Sequence, residues 1–118
     1  MSYETIELDV SGNVATLTLN RPDSANTINP QMAKDLYDVA IVCDDDPDIR
    51  AVVLTGTGKM FCAGGDLAAF KDIGDGLKSA LKEMTGHLHA GISRLTRMDA
   101  PVIAAVNGMA AGAGFSLA

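Results

Sequence analysis

Two stretches of this chain repeat one pattern, an apolar strand running into a glycine-rich turn and then a helix start, and this pattern restricts the possible folds most. In the first, Ala51-Val52-Val53-Leu54-Thr55 leads to Lys59-Met60-Phe61-Cys62-Ala63-Gly64-Gly65-Asp66, whose aspartate stands where a helix N-cap belongs. In the second, Val102-Ile103-Ala104-Ala105-Val106 enters Asn107-Gly108-Met109-Ala110-Ala111-Gly112-Ala113-Gly114 before another helix start. Glycine admits close backbone approach, and a helix N-terminus carries unpaired N–H groups at the positive end of its dipole. Either turn alone suits loop closure and capping. Together they suggest two donors aimed at one negative oxygen, an oxyanion hole.

The chain has 118 residues and 47% hydrophobic content, enough for one modest core and too little for two ordinary domains. A net charge of −6 and the run Asp44-Asp45-Asp46-Pro47-Asp48 exclude broad binding to nucleic acid or an anionic membrane, which needs a basic surface. Arg21, Lys59 and Lys71 remain as candidates for a local phosphate contact. No apolar stretch reaches the length of a membrane span, and Met1-Ser2-Tyr3-Glu4-Thr5 lacks the basic and apolar regions of a secretory signal, so a cytoplasmic location is expected. Cys43 and Cys62 have no metal-ligand spacing, and neither a metal site nor a disulfide framework is expected.

Ile6, Leu8 and Val10 alternate with polar residues, and Val14 to Leu19 resumes strand-like composition after Ser11-Gly12-Asn13, predicting a β-hairpin. A polar connection, Asn20 to Asn26, precedes an N-cap at Asn29 and a proline at the first helical position, with helix expected from Pro30 to about Cys43. Met32, Leu36, Val39, Ala40 and Cys43 form its apolar stripe. The strand 51–55 reads as buried by helices on both faces, and strand, helix, strand implies a right-handed crossover. Asp66 should cap a short helix through Phe70. A longer helix, with Leu77, Leu81, Met84, Leu88, Ile92 and Leu95 on one side, should cover the sheet or an oligomer partner. Pro101 opens a second buried strand, and the class is α/β.

Leu19-Asn20-Arg21-Pro22, Phe61-Cys62-Ala63-Gly64-Gly65-Asp66-Leu67, and Ala105-Val106-Asn107-Gly108 followed by Ala110-Ala111-Gly112-Ala113-Gly114 together resemble the enoyl-CoA hydratase/isomerase family, the crotonase superfamily. The likeness covers essentially the whole chain. It implies a crotonase-like fold of repeated β-β-α units, with residues 1–118 as the N-terminal portion of one domain that stops before the C-terminal helical region. The implied substrate is an acyl-CoA thioester, with coenzyme A entering as part of the substrate and no separate cofactor. The implied assembly is a homo-oligomer, a trimer or a dimer of trimers.

By the same resemblance, Gly65 matches the first backbone donor to the thioester oxygen and Ala113 the second, with Gly112 and Gly114 as one-residue alternatives. Ser24, Ala25, Thr27, Ala63, Asp66 and Leu67 match the segments that hold the CoA part, and Met109, Gly112 and Ser116 complete the substrate-binding set. Asp23 stands where some relatives carry lysine, and Lys59 is a candidate to compensate. Ser116 stands where hydratases carry a glutamate, which favours an isomerase over a hydratase, with its base expected beyond Ala118. The alternative is a non-catalytic acyl-CoA-binding or assembly protein.

Three rival readings are weaker. Gly114-Phe115-Ser116-Leu117-Ala118 has alanine at the final glycine of a nucleophile elbow and no identifiable histidine partner. His87 and His89 lie two apart on a helix and point apart. Gly56-Thr57-Gly58-Lys59 lacks the spacing of a phosphate-binding P-loop.

Overall fold

Asn29 starts the first helix as its sequence position predicts: Oδ1 accepts the N–H of Met32 at 2.8 Å, and Pro30 occupies the first turn. In the computed structural model, which describes residues 2–118, that helix belongs to the first of three consecutive β-β-α units. This unit comprises β1 (Ile6–Ser11), β2 (Val14–Leu19) and α1 (Pro30–Asp45). The second comprises β3 (Ala51–Gly56), β4 (Met60–Cys62), α2 (Leu67–Ile73) and α3 (Leu77–Arg97). The third comprises β5 (Val102–Ala104), β6 (Met109–Ala110) and α4 (Ala113–Leu117).

The hairpin β1–β2 is antiparallel, with Ile6 opposite Leu19 and Ser11 opposite Val14. β2 and β3 run parallel with α1 as the connection, and β5 joins β3 in parallel, so the main sheet has the order β1-β2-β3-β5. A second, two-stranded sheet pairs β4 with β6. By local pattern Met60-Phe61-Cys62 belongs to a glycine-rich turn. Here it becomes a strand because Met109–Ala110 supplies a distant edge that no local pattern announces.

Alternation along the strands sends Ala15, Leu17 and Leu19 of β2 and Val52 and Leu54 of β3 into one core. The predicted α1 stripe, Met32, Leu36, Val39, Ala40 and Cys43, is buried in the same cluster. From α3, Met84, Leu88 and Leu95 join it, and the helix packs along α1. That intramolecular partner accounts for the buried part of the α3 stripe.

Two expectations of burial are corrected. β3 is covered on one face only, since Ala51, Val53 and Thr55 stay partly exposed. The strand expected over 102–106 ends at Ala104 and is not buried: Ile103 is 56% exposed on the sheet-edge strand β5. An apolar run shows that a segment is able to be buried, while the number of neighbours depends on the sheet order.

One buried charge escaped the sequence reading. Asp35 interrupts the apolar face of α1, and its Oδ2 accepts the Thr5 N–H at 3.0 Å and the Thr5 Oγ1 hydroxyl at 2.6 Å. Oδ1 accepts from Gln31 Nε2 at 2.9 Å. The carboxylate thereby ties the chain just before β1 to α1. Asp35→Ala strands a buried amide and hydroxyl, and should lower unfolding free energy by about 2–3 kcal/mol. Chemical denaturation of the variant and wild type checks this, with an unchanged midpoint refuting the tie.

Candidate active site

The polar Arg21-to-Thr27 connection is held by a dense set of local and long-range hydrogen bonds. Pro22 to Ser24 form one 3-10 turn, after which Ala25 and Asn26 adopt φ of 54° and 53°. For a residue with a Cβ this left-handed conformation costs on the order of 1–2 kcal/mol and requires compensation from its surroundings. Asn26 provides much of it. Fully buried, its Oδ1 accepts the Arg21 N–H at 2.8 Å, and its Nδ2 donates to the carbonyls of Thr57 (3.0 Å) and Met60 (2.9 Å).

The first glycine loop lies directly against this connection. Ala63 N donates to Ala25 O at 3.1 Å, Ile28 N to Gly64 O at 2.8 Å, and Asp66 N to Ile28 O at 2.9 Å. The segment carrying Ser24, Ala25 and Thr27 is thus brought together with Ala63 and Asp66. Asp66 caps α2 as predicted, accepting the Ala69 N–H through Oδ1 at 3.0 Å, while its Oδ2 pairs with Arg21 Nη2 at 2.9 Å. The Ala69 N–H and then the Arg21 guanidinium hold its carboxyl below the ordinary value of 3.8, against the opposing effect of desolvation. Arg21 is therefore committed inside the protein and is not a free phosphate ligand. Lys59 and Lys71 stay exposed.

The second glycine loop closes onto the first. Ala111 N donates to Cys62 O at 3.0 Å, and Gly64, at φ 110°, packs so tightly that a Cβ there would lie 3.1 Å from Ala111 O and 3.7 Å from Ala113 N. At Gly114 a side chain would collide with the Cys62 carbonyl, which requires glycine at this crossing. Among the described residues, no protein acceptor takes the N–H of Gly65, Gly112 or Ala113. The Gly114 N–H donates to Ala111 O at 2.9 Å, which removes that one-residue alternative. Asn107 completes the junction: Oδ1 accepts from Gly56 N at 3.0 Å, and Nδ2 donates to the carbonyls of Gly58 (3.0 Å) and Met60 (3.2 Å).

Residues 9–118 match the model of one protein family, described as enoyl-CoA hydratase/isomerase. The chain belongs to the enoyl-CoA hydratase/isomerase family. It is 40% identical over 116 residues to a probable enoyl-CoA hydratase of Mycobacterium tuberculosis, covering 98% of this chain and 44% of the relative. It is 37% identical over 121 residues to the crotonyl-CoA hydratase of Syntrophomonas wolfei, covering all of this chain and 45% of that enzyme. A solved structure from Pseudomonas aeruginosa superposes with a TM-score of 0.88 at 40% identity, covering 97% of this chain and 48% of that one. The chain spans about half the length of the relatives it matches. Its α/β architecture is the crotonase fold.

In this enoyl-CoA hydratase/isomerase family member, Leu67, Met109 and Ser116 are exposed around the two glycine loops. Leu67 follows the Asp66 cap, Met109 lies on β6, and Ser116 lies on α4. No side-chain hydrogen bond joins Ser116 to an imidazole or carboxylate among the described residues, so the nucleophile-elbow reading gains no partner. His87 instead packs against Tyr37, with ring centroids 5.4 Å apart.

Cys62 ends β4 inside the junction, and Cys43 lies on the buried face of α1. Burial pushes both thiols up, Cys43 to about 11, with Asp46 adding to its shift. A raised thiol stays neutral near pH 7, which disqualifies Cys62 as a resting nucleophile. The sign also means that folded-state stability falls as pH rises from 9.0 through about 11 at Cys43, because only the unfolded chain ionises readily there. Native protein at pH 7.5 (about 1.5 units below 9.0) should resist alkylation at both positions and react after unfolding, as read by mass spectrometry; rapid native labelling of Cys62 would contradict the burial.

Proposed function

We propose that this chain forms the oxyanion-hole half of an enzyme that acts on an enoyl-CoA thioester. The observation carrying the proposal is the pair of backbone N–H groups, at Gly65 and Ala113, left without protein acceptors on two loops that pack together through Gly64. A thioester oxygen accepting from both would draw electrons from the adjacent carbons and lower the barrier to an enolate-like intermediate. The Ser24–Thr27 segment and Ala63–Leu67 would hold the CoA portion. The similarity to a probable enoyl-CoA hydratase and to a crotonyl-CoA hydratase supports the substrate class.

Within that class we favour double-bond isomerisation. A base removes a proton from the carbon chain, the electron pair moves toward the thioester oxygen, and the proton returns at a different carbon. Ser116 cannot supply a carboxylate at the position matching a hydratase glutamate. We assign proton transfer to a carboxylate in the part of the relatives' length that this chain does not span. The hydratase names of the relatives point the other way, which makes direct assay decisive: the intact natural protein should shift a double bond faster than it adds water to a 2-enoyl-CoA. Binding without either reaction would support the non-catalytic alternative.

At Gly65 a Cβ would lie 3.0 Å from the Phe70 ring edge, and valine's branches would crowd the donor. Gly65→Val should reduce kcat on the order of 10²-fold, the scale of losing one oxyanion donor, with circular dichroism reporting a retained fold. Wild-type turnover by this variant would remove Gly65 from the hole.

Ser116→Ala should leave most isomerase activity, since the hydroxyl has no activating partner. Near-total loss of turnover, with acyl-CoA binding intact and a covalent acyl adduct on wild-type Ser116, would establish nucleophilic catalysis instead.

A further inference from the structure

Arg21, two residues past the end of β2, ties distant segments together. Its Nη1 donates to Thr27 O at 2.6 Å and to Thr27 Oγ1 at 3.3 Å, while Nη2 donates to Asp66 Oδ2 at 2.9 Å. One planar guanidinium therefore spans the β2–α1 connection and the residue immediately after Gly65. The paired side chains are only 19% and 13% exposed, so solvent screens them less than an ordinary surface pair. Asp66 divides its two oxygens between Arg21 and the α2 N-cap, coupling the orientation of Gly65 to both neighbours.

We propose that the Arg21–Asp66 pair is a positioning strut, setting the Gly65 N–H against the Ser24–Thr27 segment so that thioester and CoA contacts can form together. This rests on the proposed acyl-CoA function. The fork geometry is essential to it: lysine would keep the charge but cannot hold Thr27 and Asp66 with the same planar pair of donors. A structural anchor alone would affect stability, whereas a strut should also affect turnover by correctly folded protein.

The test compares Arg21→Ala, Arg21→Lys, Asp66→Asn and the Arg21→Ala/Asp66→Asn double variant in the intact natural protein. Asn at position 66 retains an oxygen for the Ala69 N–H while removing the ion pair. The probes are crotonyl-CoA binding by calorimetry, isomerase and hydratase turnover, and thermal unfolding by circular dichroism. The strut predicts about 10- to 100-fold lower kcat in Arg21→Ala and Asp66→Asn, the range a small misplacement of reacting groups produces. The double variant should be no worse than Arg21→Ala, which already breaks the Arg21–Asp66 bond together with the bonds to Thr27. Guanidinium ion should partly restore Arg21→Ala, and Arg21→Lys should be intermediate.

Unchanged kcat in the folded single variants, or multiplying losses with no guanidinium rescue, would overturn the strut. Should Arg21→Ala not fold, Arg21→Lys and Asp66→Asn carry the same comparison. Failure of folded wild-type protein to bind crotonyl-CoA would instead refute the functional reading on which the strut depends. Wild-type binding and turnover with unaffected variants would refute the strut alone.

Discussion

Asn26 uses its whole carboxamide to hold three pieces of backbone, and the candidate site depends on that buried junction. Its oxygen accepts from Arg21 N, while its nitrogen donates to Thr57 O and Met60 O. Fully out of water, an unpaired member of this set would cost about 1–3 kcal/mol. The bonds therefore favour a single loop arrangement over alternatives of similar composition. They also explain how consecutive left-handed residues persist at Ala25 and Asn26: the surrounding contacts specify the turn strongly enough to offset its local cost.

Met60 O receives both asparagine carboxamides, one from Asn26 and one from Asn107. The first strand-end loop is thereby joined at a common carbonyl to the loop after β5. The pairing of β4 with β6 and the Ala111–Cys62 hydrogen bond continue the join toward Gly64 and Ala113. Rigid elements thus place the two glycine loops side by side. Among the described residues, Ala113 keeps a free N–H as the first residue of α4, Gly65 keeps one just ahead of the Asp66 cap, and their proximity is a consequence of long-range backbone pairing.

The core and the site divide the chain's residues in different ways. The α1 stripe was legible because Met32, Leu36, Val39, Ala40 and Cys43 recur at helical spacing, and burial follows that spacing directly. Asp35 was not legible on the same helix, since its carboxylate becomes acceptable in the core only through Thr5, thirty residues away. Similarly, the Asp66 cap could be read from local order, but its pairing with Arg21 could not: forty-five positions separate the partners. β5 was overestimated as a buried strand because its apolar composition carries no record of how many neighbours the sheet supplies.

From sequence alone, local physics determined the α/β class, the hairpin, the caps at Asn29 and Asp66, and the glycine turns; the resemblance of three ordered motifs determined the family. These properties reside in short-range stereochemistry and spacing. Only the tertiary structure decided that Ala25 and Asn26 would turn left-handed, that β4 would find β6, and that Asn26 and Asn107 would meet at Met60 O. Each requires groups distant in the chain to share a hydrogen bond or a close backbone contact, and that geometry exists only after the core has brought their supporting elements together.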